Sequence, residues 1–289
     1  MSSVPRKKAV LAQAMAATRL TSAAELAHRL VTPRAHVRAV NYHGTPERFA
    51  ASFDRQLAYY RERFDPVTAE DLDRLLSGGS WERSRPGLII SFDDGLRSNF
   101  EVARPALEKH GFVGWFFVPA GLVSGYTVVT AEAARAASIV PDDAYDDGRQ
   151  TMSWDELREL ARRHVVGCHT RTHRHMRASL PEDVVRSEVV VAKTMLEQQL
   201  ARSVDVFCWV GGEEWAYSAS AARAIASSGY RFSFMTNSAV ITRKTSRLQL
   251  QRTNIEADWP LDVVRFQLSG AMDLLYLPKR LRVNRLTAQ

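Results

Sequence analysis

Residues 87–95 read GLIISFDDG, a β-rich and mostly apolar run that passes without a break into two carboxylates and a glycine. A short apolar run bounded by a turn signal is the pattern of a strand buried on both faces. The arrangement recurs at 164–173, HVVGCHTRTH, where the run stops on the first of two histidines. Working outward, further runs of this kind lie at 37–43 (VRAVNYH), 113–119 (VGWFFVP), 204–210 (VDVFCWV), 230–235 (YRFSFM) and 248–255 (LQLQRTNI). The stretches between them have helical spacing. Phe49, Phe53, Leu57 and Tyr60 follow Pro46 on one face, and Val185, Val189, Ala192, Leu196 and Leu200 form a second stripe. Ser153 with Glu156, and Ser179 with Glu182, have the spacing of capping boxes. Strands alternating with helices predict an α/β fold built on parallel strands.

In α/β barrels the carboxyl ends of the strands converge on one face, so the tips at Asp93-Asp94 and at His169 to His173 are expected to meet. Two adjacent carboxylates repel each other unless a cation or a strong set of donors compensates. With two imidazoles beside them, a metal ion is the simplest compensation. A turn at the strand end brings both carboxylates to one pocket, where one ligates and the other moves protons. Each motif alone is weaker. Asp-Asp-Gly is also a plain turn signal, the H-x-x-x-H pair lacks the Glu of the zincin helix, and His175 is an alternative to His173 as a ligand.

The chain has 289 residues, 45% of them hydrophobic, enough for one barrel-sized domain or two small ones. Lys and Arg exceed Asp and Glu by 39 to 32, with a surplus near the ends at Arg6, Lys7, Lys8 and at Lys279, Arg280, Arg282, Arg285. No nucleic-acid motif accompanies them, and nucleic acid is not expected as a partner. Peripheral contact of the basic termini with a membrane surface or an anionic glycan suits the charge better. Cys168 and Cys208 are too few for a disulfide framework or a four-thiolate zinc site and read as small buried side chains. Residues 1–33 read as an N-terminal helical extension. Its apolar run is short and broken by Gln13, so a cytoplasmic location is expected, at the membrane periphery or free of it, with secretion the alternative. Residues 126–151, with PDDAYDDG, lack a period and do not match an EF-hand, which predicts a solvated excursion.

SFDDG at 91–95 resembles the first motif, T-F-D-D-G, of the polysaccharide deacetylases of the NodB-homology type, and HTRTH at 169–173 resembles the second, H-[ST]-x-x-H. Their order and separation agree, as does WFFVP at 115–119 between them. The resemblance spans about 36 to 270. It implies a distorted (β/α) barrel with about seven parallel strands over 34–270, leaving 271–289 as a basic C-terminal tail. It also implies a role for each site residue: Asp93 is the general base, and Asp94, His169 and His173 hold one divalent metal ion. Zinc suits two imidazoles and a carboxylate, and other transition metals bind the same set. The implied activity is metal-dependent hydrolysis of an N-acetyl group on an amino sugar, in a surface polysaccharide or its precursor. The alternatives are a deformylase or O-acetyl esterase using the same site, or a glycan-binding relative without turnover.

The family's later motifs are altered here. Its third survives only as Phe207-Cys208-Trp209-Val210-Gly211-Gly212, with Val210 where proline is usual. The Gly211 backbone N–H is the candidate oxyanion donor there. The arginine that orients the base is missing from that stretch, and Arg252 is the candidate substitute. Glu256-Ala257-Asp258-Trp259 partly echoes a fourth motif, although a helix cap at Asp258 accounts for it equally well. The late histidine of the fifth motif is absent, since no histidine follows His175. Tyr42-His43 resembles the Tyr-His motif of the circularly permuted branch that includes poly-N-acetylglucosamine deacetylases, and this makes His43 the expected general acid.

Overall fold

The apolar runs become strands in the computed structural model, which describes Leu26, Leu30, residues 32–125 and residues 127–289. Apart from Leu26, Leu30 and residues 32–33, the expected helical extension over 1–33 lies outside the described residues. In chain order the strands are β1 (Val37–Tyr42), β2 (Asp65–Pro66), β3 (Gly87–Phe92), β4 (Gly114–Val118), β5 (Val165–Cys168), β6 (Val206–Cys208), β7 (Phe232–Met235), β8 (Leu250–Gln251) and β9 (Thr253–Asn254). They form one sheet in the order β8-β7-β6-β5-β4-β3-β1-β9, with β2 beside β3. The ladders between them are parallel.

The barrel closes on a single short segment. Residues 250–251 pair with β7 and residues 253–254 pair with β1, so the two ends of the sheet are joined through one stretch interrupted at Arg252. The eight strands along the path therefore come from seven stretches of chain, which agrees with the expectation of about seven. The short strand β2 was not expected from the sequence. It pairs with Gly87 and Leu88, below the point at Ile90 where β4 begins, so it fills an edge that β4 leaves open.

Side chains alternate between two apolar layers. Val40, Tyr42, Leu88, Ile90, Phe92, Phe116 and Val118 face the surrounding helices, while Ala39, Ile89, Trp115, Phe117, Val206, Phe232 and Phe234 fill the interior. Strand period carries the inner face upward from Ile89 through Ser91 to Asp93, from Ala39 to Asn41, from Val206 to Cys208 and from Leu250 to Arg252. The polar floor of the site thus continues the interior column of the barrel.

The helix Ala50–Arg63 buries Phe53, Leu57 and Tyr60, as the spacing predicts. Both hydrogen bonds of the Ser153–Glu156 capping box are present. The box expected at Ser179–Glu182 is not, because Pro181 occupies the cap position and the helix starts at Glu182. A helical run from Glu182 to Leu200 buries the expected stripe, and a π turn at Ser187–Val191 widens it in the middle. Residues 271–289 include the helices Ala271–Leu275 and Leu277–Leu286. Among the described residues no helix is long and apolar enough to cross a membrane.

Candidate metal centre and catalytic cleft

The tips of β1, β3, β5 and β6 and the segment after β9 surround a cleft of about 700 Å³, lined by Asn41, His43, Asp93, Asp94, His169, His173, His175, Gly211 and Glu256 among others. Asp93 continues the ladder, its N–H donating to Tyr42 O at 2.9 Å. At Asp94 the backbone turns into the left-handed region, φ 73°, and swings a side chain that strand parity would aim outward back into the cleft. Thr170 (φ 65°) and His173 (φ 60°) do the same for the second tip. Such conformations cost about 1–3 kcal/mol each and persist where the surroundings enforce them.

Here the surroundings are visible. Glu188, on the π turn, accepts from the backbone N–H of Arg171 at 2.9 Å, from that of Thr172 at 2.8 Å and from Thr172 Oγ1 at 2.7 Å. Thr170 Oγ1 accepts from Arg174 N at 3.1 Å. The 169–173 loop is thereby fixed from below by a buried carboxylate.

Asp94, His169 and His173 each present one ligand atom, and the three atoms lie within 4.8 Å of one another. His169 Nδ1 donates to Cys208 O at 3.0 Å and His173 Nδ1 donates to Ala137 O at 2.7 Å. Each ring therefore keeps a lone pair on Nε2, the tautomer a metal ligand needs. Both Nε2 atoms face Asp94 Oδ1, at 3.6 Å and 3.0 Å. That buried oxygen accepts no well-formed hydrogen bond among the described residues. Three electron-pair donors turned on one point fit a divalent cation and suit little else. Burial pushes the His169 imidazole down to about 4, which keeps it neutral. Burial works against ionisation of Asp94, but His173, His43 and His169 outweigh it and hold that carboxyl below its ordinary range. His175 stands apart from this set: its ring lies 4.8 Å from that of Trp215 at the rim.

Asp93 has a different set of partners. Arg252 donates from one nitrogen to Oδ1 at 2.6 Å and from the other to Oδ2 at 2.8 Å. Asn41 Nδ2 reaches Oδ2 at 3.4 Å. Burial alone would raise the Asp93 carboxyl, but the charge and hydrogen bonds of Arg252 hold it below the ordinary value. Asp93, His169 and Cys208 form a second group of potential ligand atoms. Burial raises the Cys208 thiol far above its usual range, so it stays protonated and donates toward Asp93 Oδ1 at 3.7 Å. Both cysteines are buried and free, as expected.

On the cleft wall, His43 Nδ1 donates to Glu256 Oε1 at 3.0 Å. Burial opposes a charge on this ring, yet the hydrogen bond and charge of Glu256, with the charges of Asp94 and Asp93, raise it to about 10. Gln56 Nε2 holds the 256–259 turn through Glu256 O at 3.1 Å and Trp259 O at 2.9 Å. The cap expected at Asp258 is not formed. The following helix, Leu261–Leu268, is preceded by Pro260 and has no side-chain cap, and Asp258 lines the cleft instead. Gly211 is at φ 79°, where a Cβ would meet the His175 ring at 2.7 Å.

The segment expected to be a solvated excursion is exposed at many of its described residues, 127–151, but it is also fastened to the cleft. The Ala137 carbonyl orients His173, Asp142 accepts from Ser98 Oγ, and Arg48 donates to Asp142 O at 2.5 Å and also pairs with Asp143. Sequence reading overlooked Glu188 and Gln56 because each acts on backbone that is remote in the chain, and it gave Asp142 no role because its partner Ser98 is equally remote. Asn41 and Ser91 left a readable signal, as polar residues at inward strand positions.

The family described as polysaccharide deacetylase matches the chain over residues 82–233. None of the curated proteins matches it in sequence. Among solved structures, the Streptococcus pyogenes deacetylase PplD in complex with acetate is 18% identical, covering 81% of this chain and 99% of that one, with a TM-score of 0.63. The de-N-acetylase from Aggregatibacter actinomycetemcomitans is 14% identical over 80% and 99%, with a TM-score of 0.62. IcaB from Ammonifex degensii is 18% identical over 82% and 97%, with a TM-score of 0.59. At these identities the shared property is the fold.

Proposed function

This chain belongs to the polysaccharide deacetylase family, and from that premise we propose that it removes the acetyl group from an N-acetylated amino sugar of a surface polysaccharide or its precursor. The observation that carries the reading is the division of labour between adjacent carboxylates. Asp94 joins the Nε2 atoms of two imidazoles, while Asp93 is kept off that set by Arg252. A glycan-binding relative has no use for a second carboxylate held ionised beside the first.

Asp94, His169 and His173 would hold one divalent ion, with zinc suited to the donor set. When bound, the ion supplies Lewis acidity toward the acyl oxygen and lowers the pKa of water. Asp93 takes the proton of the attacking water, and Arg252 keeps that carboxylate oriented and charged. Gly211 N–H donates to the developing oxyanion, whereas Gly212 N–H is already engaged by Glu213 Oε2 at 3.1 Å. An amide nitrogen leaves poorly as an anion, so a proton must reach it. His43 supplies that proton from Nε2, because Nδ1 is committed to Glu256.

The test is acetate release from a panel of N-acetylated oligosaccharides and precursors, using metal-loaded and chelator-stripped protein. Release that depends on metal is expected. Turnover confined to N-formylated or O-acetylated sugars would move the reaction to another acyl group.

A further inference from the structure

The helix Leu277–Leu286 and the short helix Ala271–Leu275 before it reverse the usual amphipathic arrangement. Their inward side is polar. Arg38 clamps Asp273 at 3.0 and 2.8 Å, Lys279 donates to Gly212 O at 2.7 Å, and Arg280 reaches the carbonyls of Asn237, Ser238 and Asp273. Gln249 and Gln251 donate to Asn284. Val283 is the buried residue of that helix. The outward side is leucine: Leu274 is 73% exposed, Leu275 70%, Leu281 55%, and Leu277 and Leu286 are exposed as well. A helix normally buries its apolar stripe, and a contiguous apolar surface left in water marks a contact face. Residues 274–289 contain Lys279, Arg280, Arg282 and Arg285 and no acid at all. A cavity of about 890 Å³, whose lining includes Val240, Lys244 and Leu274, opens alongside.

We propose that this face, with leucines outward and arginines at its border, docks the protein on an anionic lipid surface. Such a surface offers both an apolar layer for the leucines and negative charge for Arg282 and Arg285. A second copy of the chain would cover the leucines, but its own residues 274–289 bring no negative charge to Arg282 and Arg285. The face also adjoins the cleft. Arg282 pairs with Glu214 at 2.9 Å and Lys279 holds the Gly212 carbonyl, so docking would place the mouth of the cleft close to the lipid. The inference does not rest on the proposed reaction.

Co-sedimentation of the full chain with vesicles tests it, using phosphatidylcholine alone and equal parts phosphatidylcholine and phosphatidylglycerol. Binding to the anionic vesicles is expected, with little to the neutral ones. The double variant Leu274→Ser/Leu281→Ser should weaken it by about tenfold or more. Circular dichroism and the unfolding midpoint should not change, since both side chains are exposed. Three results overturn the proposal. The wild type stays in the supernatant with both vesicles, or the leucine variant binds as well as the wild type. In the third, the wild type is a dimer that the leucine variant converts to monomer, which assigns the face to a second copy.

Discussion

Asp93 is a buried carboxyl that stays ionised, and so able to accept a proton, because Arg252 lies against it. Asp93→Asn keeps the shape of the side chain and removes the proton acceptor. We expect activity to fall by about 10²–10⁴ with metal content unchanged, as read by elemental analysis. Loss of metal in that variant would make Asp93 a ligand. Arg252→Met leaves a buried carboxylate without its counter-charge, which raises the Asp93 carboxyl. A base must be deprotonated to act, so the acid limb of the pH–rate profile should move to higher pH, at a stability cost of about 3–5 kcal/mol. Glu256→Gln works on the opposite limb. Glu256 raises His43 and a general acid must be protonated, so removing the charge lowers His43 and shifts the alkaline limb to lower pH. An alkaline limb that stays in place, in this variant and in His43→Ala, would assign the departing nitrogen's proton to another donor.

At the scale of elements, the loop from His169 to His173 is shaped by the π turn packed beneath it. Regular α geometry at Ser187–Val191 would rotate Glu188 relative to the stripe of Val185, Val189 and Ala192. The extra residue in the turn lets one segment present both an apolar side to the sheet and a carboxylate to the loop. Glu188→Gln retains the size and weakens two charge-assisted bonds to backbone N–H. Zinc competition titration should therefore show affinity down by about 10–100-fold although Glu188 is not itself a ligand. Unchanged affinity would mean that the loop holds its left-handed residues without help. The capping box at Ser153 is a simpler element, and Ser153→Ala should cost about 1 kcal/mol in denaturant unfolding without altering the site.

For the whole molecule, the 126–151 segment is the main piece of chain outside the barrel plan, and it is fastened across the cleft by Asp142. Burial, more than any other influence, pushes this carboxyl up to about 6. A carboxyl raised in the folded state binds more protons folded than unfolded between about pH 4 and 6. Its contribution to stability therefore grows as pH falls through that window and is lost as pH rises above it. Asp142→Asn should raise the free energy of unfolding at pH 8 by roughly 1–3 kcal/mol and give no gain at pH 4. A variant equally stabilised at both values would separate the effect from protonation.

The sequence by itself determined the strands, their alternation with helices, and which residues could carry chemistry. Inward parity from Ile89 to Ser91 to Asp93 is a property of extended chain, and the apolar runs around it leave little choice of fold. Carboxylates and imidazoles at the ends of buried runs pointed to a metal, while the choice of Asp94, His169 and His173 over His175 came from the resemblance of SFDDG and HTRTH to the family's motifs. The tertiary structure supplies the physical reason for pairing Asp93 with Arg252, which the sequence offered only as a candidate. Arg252 lies 159 residues from Asp93 and reaches it only because residues 250–254 close the barrel between β7 and β1. The same holds for Glu188 beneath the second tip, Glu256 behind His43 and the Ala137 carbonyl behind His173. Each acts through a hydrogen bond to a distant segment, and local propensity carries no information about such partners. The leucines of the last helix show the same limit: by sequence they belonged to a basic tail, and only the packed structure showed that Lys279 and Arg280 turn inward while the leucines face out beside Arg282 and Arg285.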